Sequence, residues 1–293
     1  MKFRGVYTAI ITPFNDDESV NEECLKELID FNIKNGVAGI VPCGTTGESP
    51  TLSHEEHDRV IALTIKHVNK RVPVIAGTGS NSTAEAIRLS KHAEEAGADA
   101  LLIVNPYYNK PTQEGLYRHF RAVADAVKIP VIVYNIKGRT GVNVETSTLM
   151  RIVADCPNVV AVKEASGDLN QMKDVIAKRP EGFSVLSGDD GITLDLIKAG
   201  GDGVISVASN LVPDKMVKMV ELALAGDFEG AEKLNTELAP LFDVEFIETN
   251  PIPIKCALSM KGFCKAVYRL PMCELRPENE KKLRQVLEGM KVI

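Results

Sequence analysis

The chain of 293 residues has no run of about 18 apolar residues, so no part of it reads as a membrane span. It lacks a basic excess as well. The formal net charge is −6, which removes the electrostatic case for nucleic acid or an anionic membrane as partner. Small anionic substrates stay open, because one local arginine is enough for those. The six cysteines (Cys24, Cys43, Cys156, Cys256, Cys264, Cys273) show no CxxC spacing, so metal ligation is not indicated and reduced thiols are expected. No GxGxxG follows the first strand-like run, and Gly77-Thr78-Gly79 is too short to stand for one. No GxxxxGK[ST] loop is present. The first residues, Met1-Lys2-Phe3-Arg4-Gly5, run directly into a strand pattern without a signal-peptide h-region, so a cytoplasmic location is expected.

What remains is ordinary globular material, 44% hydrophobic and 25% charged, enough for a full core. A strand-then-helix unit recurs along it. Short β-rich runs occupy residues 6–12, 39–42, 74–77, 100–104, 131–135, 159–163, 183–187 and 203–207. Helical patterns follow each run, and Ser53-His54-Glu55-Glu56 and Ser82-Thr83-Ala84-Glu85 read as capping boxes. Pro213 suits the first position of the eighth helix. Eight such units predict an α/β fold, a (β/α)8 TIM barrel over residues 1–225, with a doubly wound sheet as the runner-up. The strands are almost wholly apolar, as a parallel sheet covered by helices requires. After Gly226 the alternation stops. Residues 228–241, 252–260 and 277–290 read as helices, which makes residues 226–293 a small C-terminal helical domain. It has too little material to fold alone and is expected to pack on the barrel or on another subunit.

The sixth run carries the most chemistry. Val159-Val160-Ala161-Val162-Lys163 ends in a lysine, then Ser166-Gly167-Asp168 turns into a helix cap. Alternation puts Ala161 and Lys163 on one face, with Val160 and Val162 on the other. Burial costs an ammonium dearly and lowers its pKa, and a neutral amine attacks carbonyl carbon. Lys163 is therefore a candidate Schiff-base nucleophile; the plain alternative is a strand-end lysine that snorkels into solvent.

In a (β/α)8 barrel the site lies at the C-terminal ends of the strands. Here those ends carry Gly44-Thr45-Thr46-Gly47-Glu48, Asn105-Pro106-Tyr107-Tyr108-Asn109, Tyr134-Asn135 with Arg139-Thr140-Gly141 beyond, Lys163, and Ser187-Gly188-Asp189-Asp190. Such a set suits a keto acid. An amine attacks the ketone, hydroxyls relay protons, threonines and backbone N–H groups bind a carboxylate, and an arginine grips a second one. No histidine stands at a strand end. His54 and His57, at i and i+3 on the second helix, have no third ligand spaced for a metal.

With these residues in place, the whole chain resembles the pyruvate-dependent class I aldolases of the dihydrodipicolinate synthase and N-acetylneuraminate lyase family. The Thr45-Thr46 pair and Arg139 are similar to the synthase branch; sugar-acid lyases usually have Ser-Thr and lack the arginine. The resemblance implies Lys163 as Schiff-base lysine and Tyr134, Thr45 and Tyr108 as a proton relay, with Tyr108 entering a neighbouring subunit's site. It implies substrate contacts from Thr46, Arg139, Gly188 and Ile205. The implied reaction is a lyase-class condensation of pyruvate with L-aspartate 4-semialdehyde, on the route to diaminopimelate and lysine. No cofactor or metal is implied beyond the covalent imine. A homotetramer built as a dimer of dimers is implied too, as is an inhibitory L-lysine site from Ser49, His54, His57, Asn81, Glu85 and Tyr107. Lys137 departs from the family pattern, which usually has a proline there, and Pro50 stands where a small residue is common. Two other readings compete: an N-acetylneuraminate or 2-keto-3-deoxy sugar-acid lyase of the same family, and a non-catalytic metabolite-binding protein. Arg139 with Thr45-Thr46 argues against the first, and an intact lysine with its relay argues against the second.

Overall fold

The computed structural model describes residues 2–293. Eight parallel strands form one sheet: β1 (Gly5–Ala9), β2 (Gly39–Val41), β3 (Ile75–Gly77), β4 (Ala100–Val104), β5 (Val131–Asn135), β6 (Val159–Glu164), β7 (Ser184–Ser187) and β8 (Gly203–Ser206). Their order is β2-β1-β8-β7-β6-β5-β4-β3. The seam between β2 and β3 is closed by a parallel bridge from Ile40 to Val74. Ile40 N–H donates to Pro73 O at 3.0 Å and Gly77 N–H to Pro42 O at 3.0 Å. The sheet is a closed TIM barrel, as the alternation of elements predicts.

Alternation along each strand sorts side chains into two cores. Tyr7, Ala9, Val41, Ile75, Leu102, Ile132, Tyr134, Ala161, Leu186 and Ile205 fill the barrel interior. Their neighbours, such as Val131, Val133, Val162 and Val185, face outward into a larger core beneath the helices. On β6 the sorting departs from simple alternation. Val131 pairs with Val159, but Ile132 pairs with Ala161, so Val160 is the extra residue of a bulge. Val160 packs against the inner cluster and Val162 lies in the outer one, so the two do not share a face as alternation predicts.

The covering helices are α1 (Glu22–Lys34), α2 (His54–Val68), α3 (Thr83–Ala96), α4 (Gln113–Asp125), the short α5 (Lys137–Thr140), α6 (Thr146–Asp155), α7 (Leu169–Lys178), α8 (Thr193–Lys198) and α9 (Pro213–Leu224). Ser53 and Glu56 make the full capping box expected at α2. At α3 only half of it forms: Ser82 accepts from Glu85 N–H, while the Glu85 carboxylate turns to Ser80 and His54. Asp168 caps α7 through Asn170 and Gln171 N–H. All six cysteines are free thiols. No described helix is long and apolar enough to cross a membrane.

Three helices follow: α10 (Phe228–Val244), α11 (Ile252–Met260) and α12 (Pro277–Gly289). They pack on the barrel itself, where α10 lies along α9 and touches the turn after β7. Helix α10 runs through Pro240, past residue 241 where the apolar pattern predicted its end. The segment after α10 grips the loops at the barrel mouth. Asn250 donates to Thr46 Oγ1 at 3.0 Å, and Arg269 donates to Thr51 O at 2.8 Å and to the Glu56 carboxylate. Lys255 on α11 is fully buried, ion-paired to Glu48 and donating to Val267 O at 3.1 Å. Glu48 itself has a left-handed φ of 51°, so the loop after β2 is bent to bring its carboxylate to this lysine.

A buried charge left alone is far more costly than the pair. Glu48→Ala or Lys255→Ala should each lower stability by about 3–5 kcal/mol. The neutral double variant Glu48→Gln/Lys255→Met should recover most of that loss. Denaturant titrations of the four proteins measure the difference, and equal losses in single and double variants would deny the pairing its role.

Candidate active site

Lys163 and Tyr134 occupy directly paired positions on β6 and β5, both pointing into the barrel. Pairing in parallel register sets two inward side chains beside each other. The Lys163 nitrogen accordingly sits 4.2 Å from the Tyr134 ring centroid. Lys163 is only 5% exposed. Burial lowers its pKa to about 7; the charge of Asp190 opposes that shift and Arg139 adds to it. An appreciable fraction is thus free amine near neutral pH, the form that attacks a carbonyl. Burial raises the Tyr134 phenol to about 12, while a hydrogen bond with Thr45 and the charge of Arg139 pull it down. The phenol therefore stays protonated and can pass its proton to a reacting oxygen.

Gly188 explains how the lysine reaches its place. A Cβ at position 188 would stand 2.9 Å from Lys163 Cε and 2.7 Å from Ala165 Cβ, so only glycine leaves room for the aliphatic stem. Glu164, next along β6, is fully buried and points away from the mouth. It accepts from Ser166 N–H at 2.9 Å and Asn135 Nδ2 at 3.2 Å, which pins the strand end. Burial raises its pKa, partly offset by these donors.

A small cavity of about 40 Å³ at the mouth is lined by Lys163, Tyr134, Thr45, Thr46, Arg139 and Gly188, with Asn250 and Phe246 from the C-terminal segment. Thr45 and Thr46 are presented by a tight loop after β2, held by Thr12 Oγ1 donating to Gly47 O at 2.7 Å. Arg139 stands on α5, a helical turn after β5, and donates to Asn250 O at 3.1 Å. The cavity thus offers a hydroxyl pair, a guanidinium and an amine around one space. That set can bind a small keto acid and form an imine with it.

A larger cavity of about 440 Å³ adjoins it and shares Thr45, Tyr134 and Arg139. Its outer wall holds Ser49, His54, His57, Glu85 and Tyr107. His54 Nε2 bonds Glu85 Oε1 at 2.8 Å, and His57 Nε2 donates to Gly77 O at 2.9 Å. Burial depresses the pKa of His57, and its Nδ1 makes no hydrogen bond within the protein, with the Asp58 carboxylate 3.8 Å away. Asn81 is absent from this wall; its carbonyl accepts from Asn109 Nδ2 at 2.8 Å.

Two other residues lie apart from the mouth. Ile205 is wholly enclosed in the inner core, and Val207 lines the cavity from the end of β8 instead. Tyr108 is 88% exposed, holds a left-handed φ of 71° and lines neither cavity. Glu48 and Asp190 stand among the strand-end residues of the sequence without a role of their own, and nothing in the sequence points to Asn250 or Lys255, since no local pattern pairs residue 48 with residue 255 or residue 250 with residue 46.

Residues 2–290 match the model of the dihydrodipicolinate synthetase family. A 4-hydroxy-tetrahydrodipicolinate synthase of Syntrophus aciditrophicus is 55% identical over 99% of this chain and 99% of its own. The crystal structure of the dihydrodipicolinate synthase of Aquifex aeolicus superimposes with a TM-score of 0.98 at 48% identity, covering 99% of both chains. The Acinetobacter baumannii synthase, solved with pyruvate, gives 0.97 at 45% identity, again over 99% of both. The Cyanidioschyzon merolae synthase, solved with lysine bound, gives 0.97 at 39% identity over 99% of both.

The buried amine has a direct readout. At pH 7, reductive methylation with formaldehyde and cyanoborohydride should modify Lys163 ahead of surface lysines, because they stay ammonium ions. Peptide mass mapping over a pH series checks this. Gly188→Ala should abolish the preference by displacing the side chain; if Lys163 reacted only at the pH of surface lysines, the amine would be charged at rest.

Proposed function

The chain belongs to the dihydrodipicolinate synthetase family, and on that footing we propose that it condenses pyruvate with L-aspartate 4-semialdehyde through an imine on Lys163. The product is 4-hydroxy-tetrahydrodipicolinate, which feeds diaminopimelate and lysine biosynthesis. One observation carries the reading: a desolvated Lys163 amine beside the Tyr134 phenol, in a cavity that also holds Thr45, Thr46 and Arg139.

The free amine adds to the C2 carbonyl of pyruvate, and the carbinolamine loses water to an iminium. Loss of a C3 proton gives an enamine, whose carbon attacks the aldehyde of the semialdehyde to form the C–C bond and a hydroxyl; the semialdehyde's own amine then adds to the imine carbon and expels the Lys163 amine, which closes the ring and frees the lysine. Tyr134 supplies and recovers protons, and Thr45, hydrogen-bonded to it, carries them onward. Thr46 binds the pyruvyl carboxylate, and Arg139 takes the carboxylate of the second substrate. Gly188 leaves the space that the lysine stem needs. The imine on Lys163 stands in place of a cofactor in these steps.

Tyr108 completes the relay from a second subunit. Its exposed ring and left-handed backbone suit a residue offered to a neighbour rather than to its own site. The working form is then a homo-oligomer, a tetramer made of two such dimers. The outer cavity, lined by Ser49, His54, His57, Glu85 and Tyr107, is the feedback site for L-lysine, supported by its acidic and neutral-imidazole wall.

Cyanoborohydride should trap pyruvate on Lys163 as a stable mass increase, absent in Lys163→Ala; an adduct on Lys110 or Lys137 would move the nucleophile elsewhere. Tyr134→Phe and Thr45→Val should each lower kcat by roughly 10²–10⁴-fold, whereas Arg139→Ala should chiefly raise KM for the semialdehyde. Turnover of N-acetylneuraminate in preference to the semialdehyde would sink the reading. Separately, L-lysine at millimolar concentration should inhibit the wild type and lose potency in Glu85→Ala and His57→Ala. Inhibition that survives both changes would place the effector outside this wall. Dilution to monomers should remove activity along with the shared Tyr108.

A further inference from the structure

Behind the proposed site lies a pair of acids that those steps do not use. Glu245 directly follows α10, and Asp190 begins the helical turn after β7; each is 1% exposed. Asp190 Oδ2 accepts the N–H groups of Val207 at 2.8 Å and Ala208 at 3.0 Å. Its Oδ1 and both carboxyl oxygens of Glu245 are buried without any donor in reach. No lysine or arginine forms an ion pair with either acid among the described residues. Two ionised carboxylates meeting there, with three oxygens that no protein donor reaches, would repel each other at a high desolvation cost. One proton between them removes the conflict, as in carboxyl pairs that share a site.

We propose that Glu245 is a positioning residue whose carboxyl O–H is shared with Asp190, so that the pair carries one negative charge near the Lys163 nitrogen. Burial and the charges of Asp190 and Asp189 keep Glu245 well above the usual carboxylate range, in agreement with that geometry. The charges of Asp189, from the same turn, and of Asp190 act on Glu245, and that of Asp190 acts on Lys163 from β6; Arg139 acts on Lys163, and Asp189 on Tyr134. The charge on Asp190 favours the cationic form of Lys163, against burial and Arg139. It therefore supplies the counter-charge for a cation at that nitrogen, and Glu245 prevents a second anion from doubling it. The C-terminal helices thus reach the reacting amine through a proton, in addition to clamping the loops. This role rests on the proposed imine chemistry, but the proton itself does not.

The simplest competing role is an anchor that fastens α10 to the barrel. Infrared difference spectroscopy of wild type against Glu245→Gln at neutral pH decides the proton. A carboxylic-acid C=O band lost in the variant is expected, and its absence in the wild type overturns the proposal. The functional half is read from the pH dependence of cyanoborohydride trapping of pyruvate. Glu245→Gln keeps an N–H donor for Asp190 and should retain the wild-type acid limb. Glu245→Leu removes the donor, weakens the counter-charge and should move that limb to lower pH by about half a unit or more. An unmoved limb in a folded Glu245→Leu protein would reduce Glu245 to an anchor, and a Gln variant that shifts like Leu would deny the donor role. Should Glu245→Leu not fold, the infrared result and the Gln limb still decide. Failure of the wild type to trap pyruvate at all would instead sink the proposed reaction and leave the shared proton standing.

Discussion

An amine held in the interior of a closed barrel is the constraint on which the rest of the structure depends. Water would keep the Lys163 nitrogen charged; only enclosure brings its pKa to about 7. Enclosure needs the barrel shut, which the bridge from Ile40 to Val74 achieves at the narrow β2–β3 seam. It needs Lys163 on the inward face, which the bulge at Val160 preserves while the strand accommodates an extra residue. It also needs an absent side chain at Gly188. Each of these is a backbone feature, and together they make a strand-end lysine into a candidate nucleophile.

The helices beyond the barrel belong to the same solution. Asn250 holds Thr46, Asn250 O holds Arg139, and the buried Lys255–Glu48 pair ties α11 to the loop that presents Thr45 and Thr46. A buried ion pair contributes little net stability, because desolvation offsets its attraction. What it provides is position: the pair fastens the bent loop at Glu48 to α11. Glu245 extends that reach to the back of the lysine. The C-terminal segment is thus built into the mouth, which a helix count alone would not suggest.

The outer cavity and Tyr108 point beyond the single chain. A large aromatic ring that is almost fully exposed gains nothing from water and has no partner in its own fold. In the proposed dimer, the wide pocket, which shares part of its lining with the inner one, would receive such a ring from the second copy. In that arrangement one interface would carry both the end of the relay and the proposed feedback site. A change of fit there would reach the reacting groups through Thr45 and Tyr134, which line both cavities.

The barrel was legible in the sequence because its physics is local. Apolar runs a strand in length, each followed by a helical stretch, recur eight times, some with recognisable caps and turn glycines, and parallel strands of that kind are covered by helices on the outside. Lys163, Tyr134, Thr45, Thr46 and Arg139 were legible as well, since strand ends are fixed points of this fold, and all five line one cavity. Other features depend on contacts distant in sequence. The bulge at Val160 arises from pairing with β5, and Ile205 gives way to Val207 because β8 ends deeper than its apolar run suggests. The Glu85 carboxylate leaves its expected cap because His54 and Ser80 compete for it. Glu48 with Lys255, and Asp190 with Glu245, unite residues that no window of sequence contains. Periodicity and turn chemistry act between neighbours, and so they determined the elements. Burial and charge act between whatever the fold brings together, and so only the tertiary structure decided which acids are paired, which amine is dry and which ring is left outside.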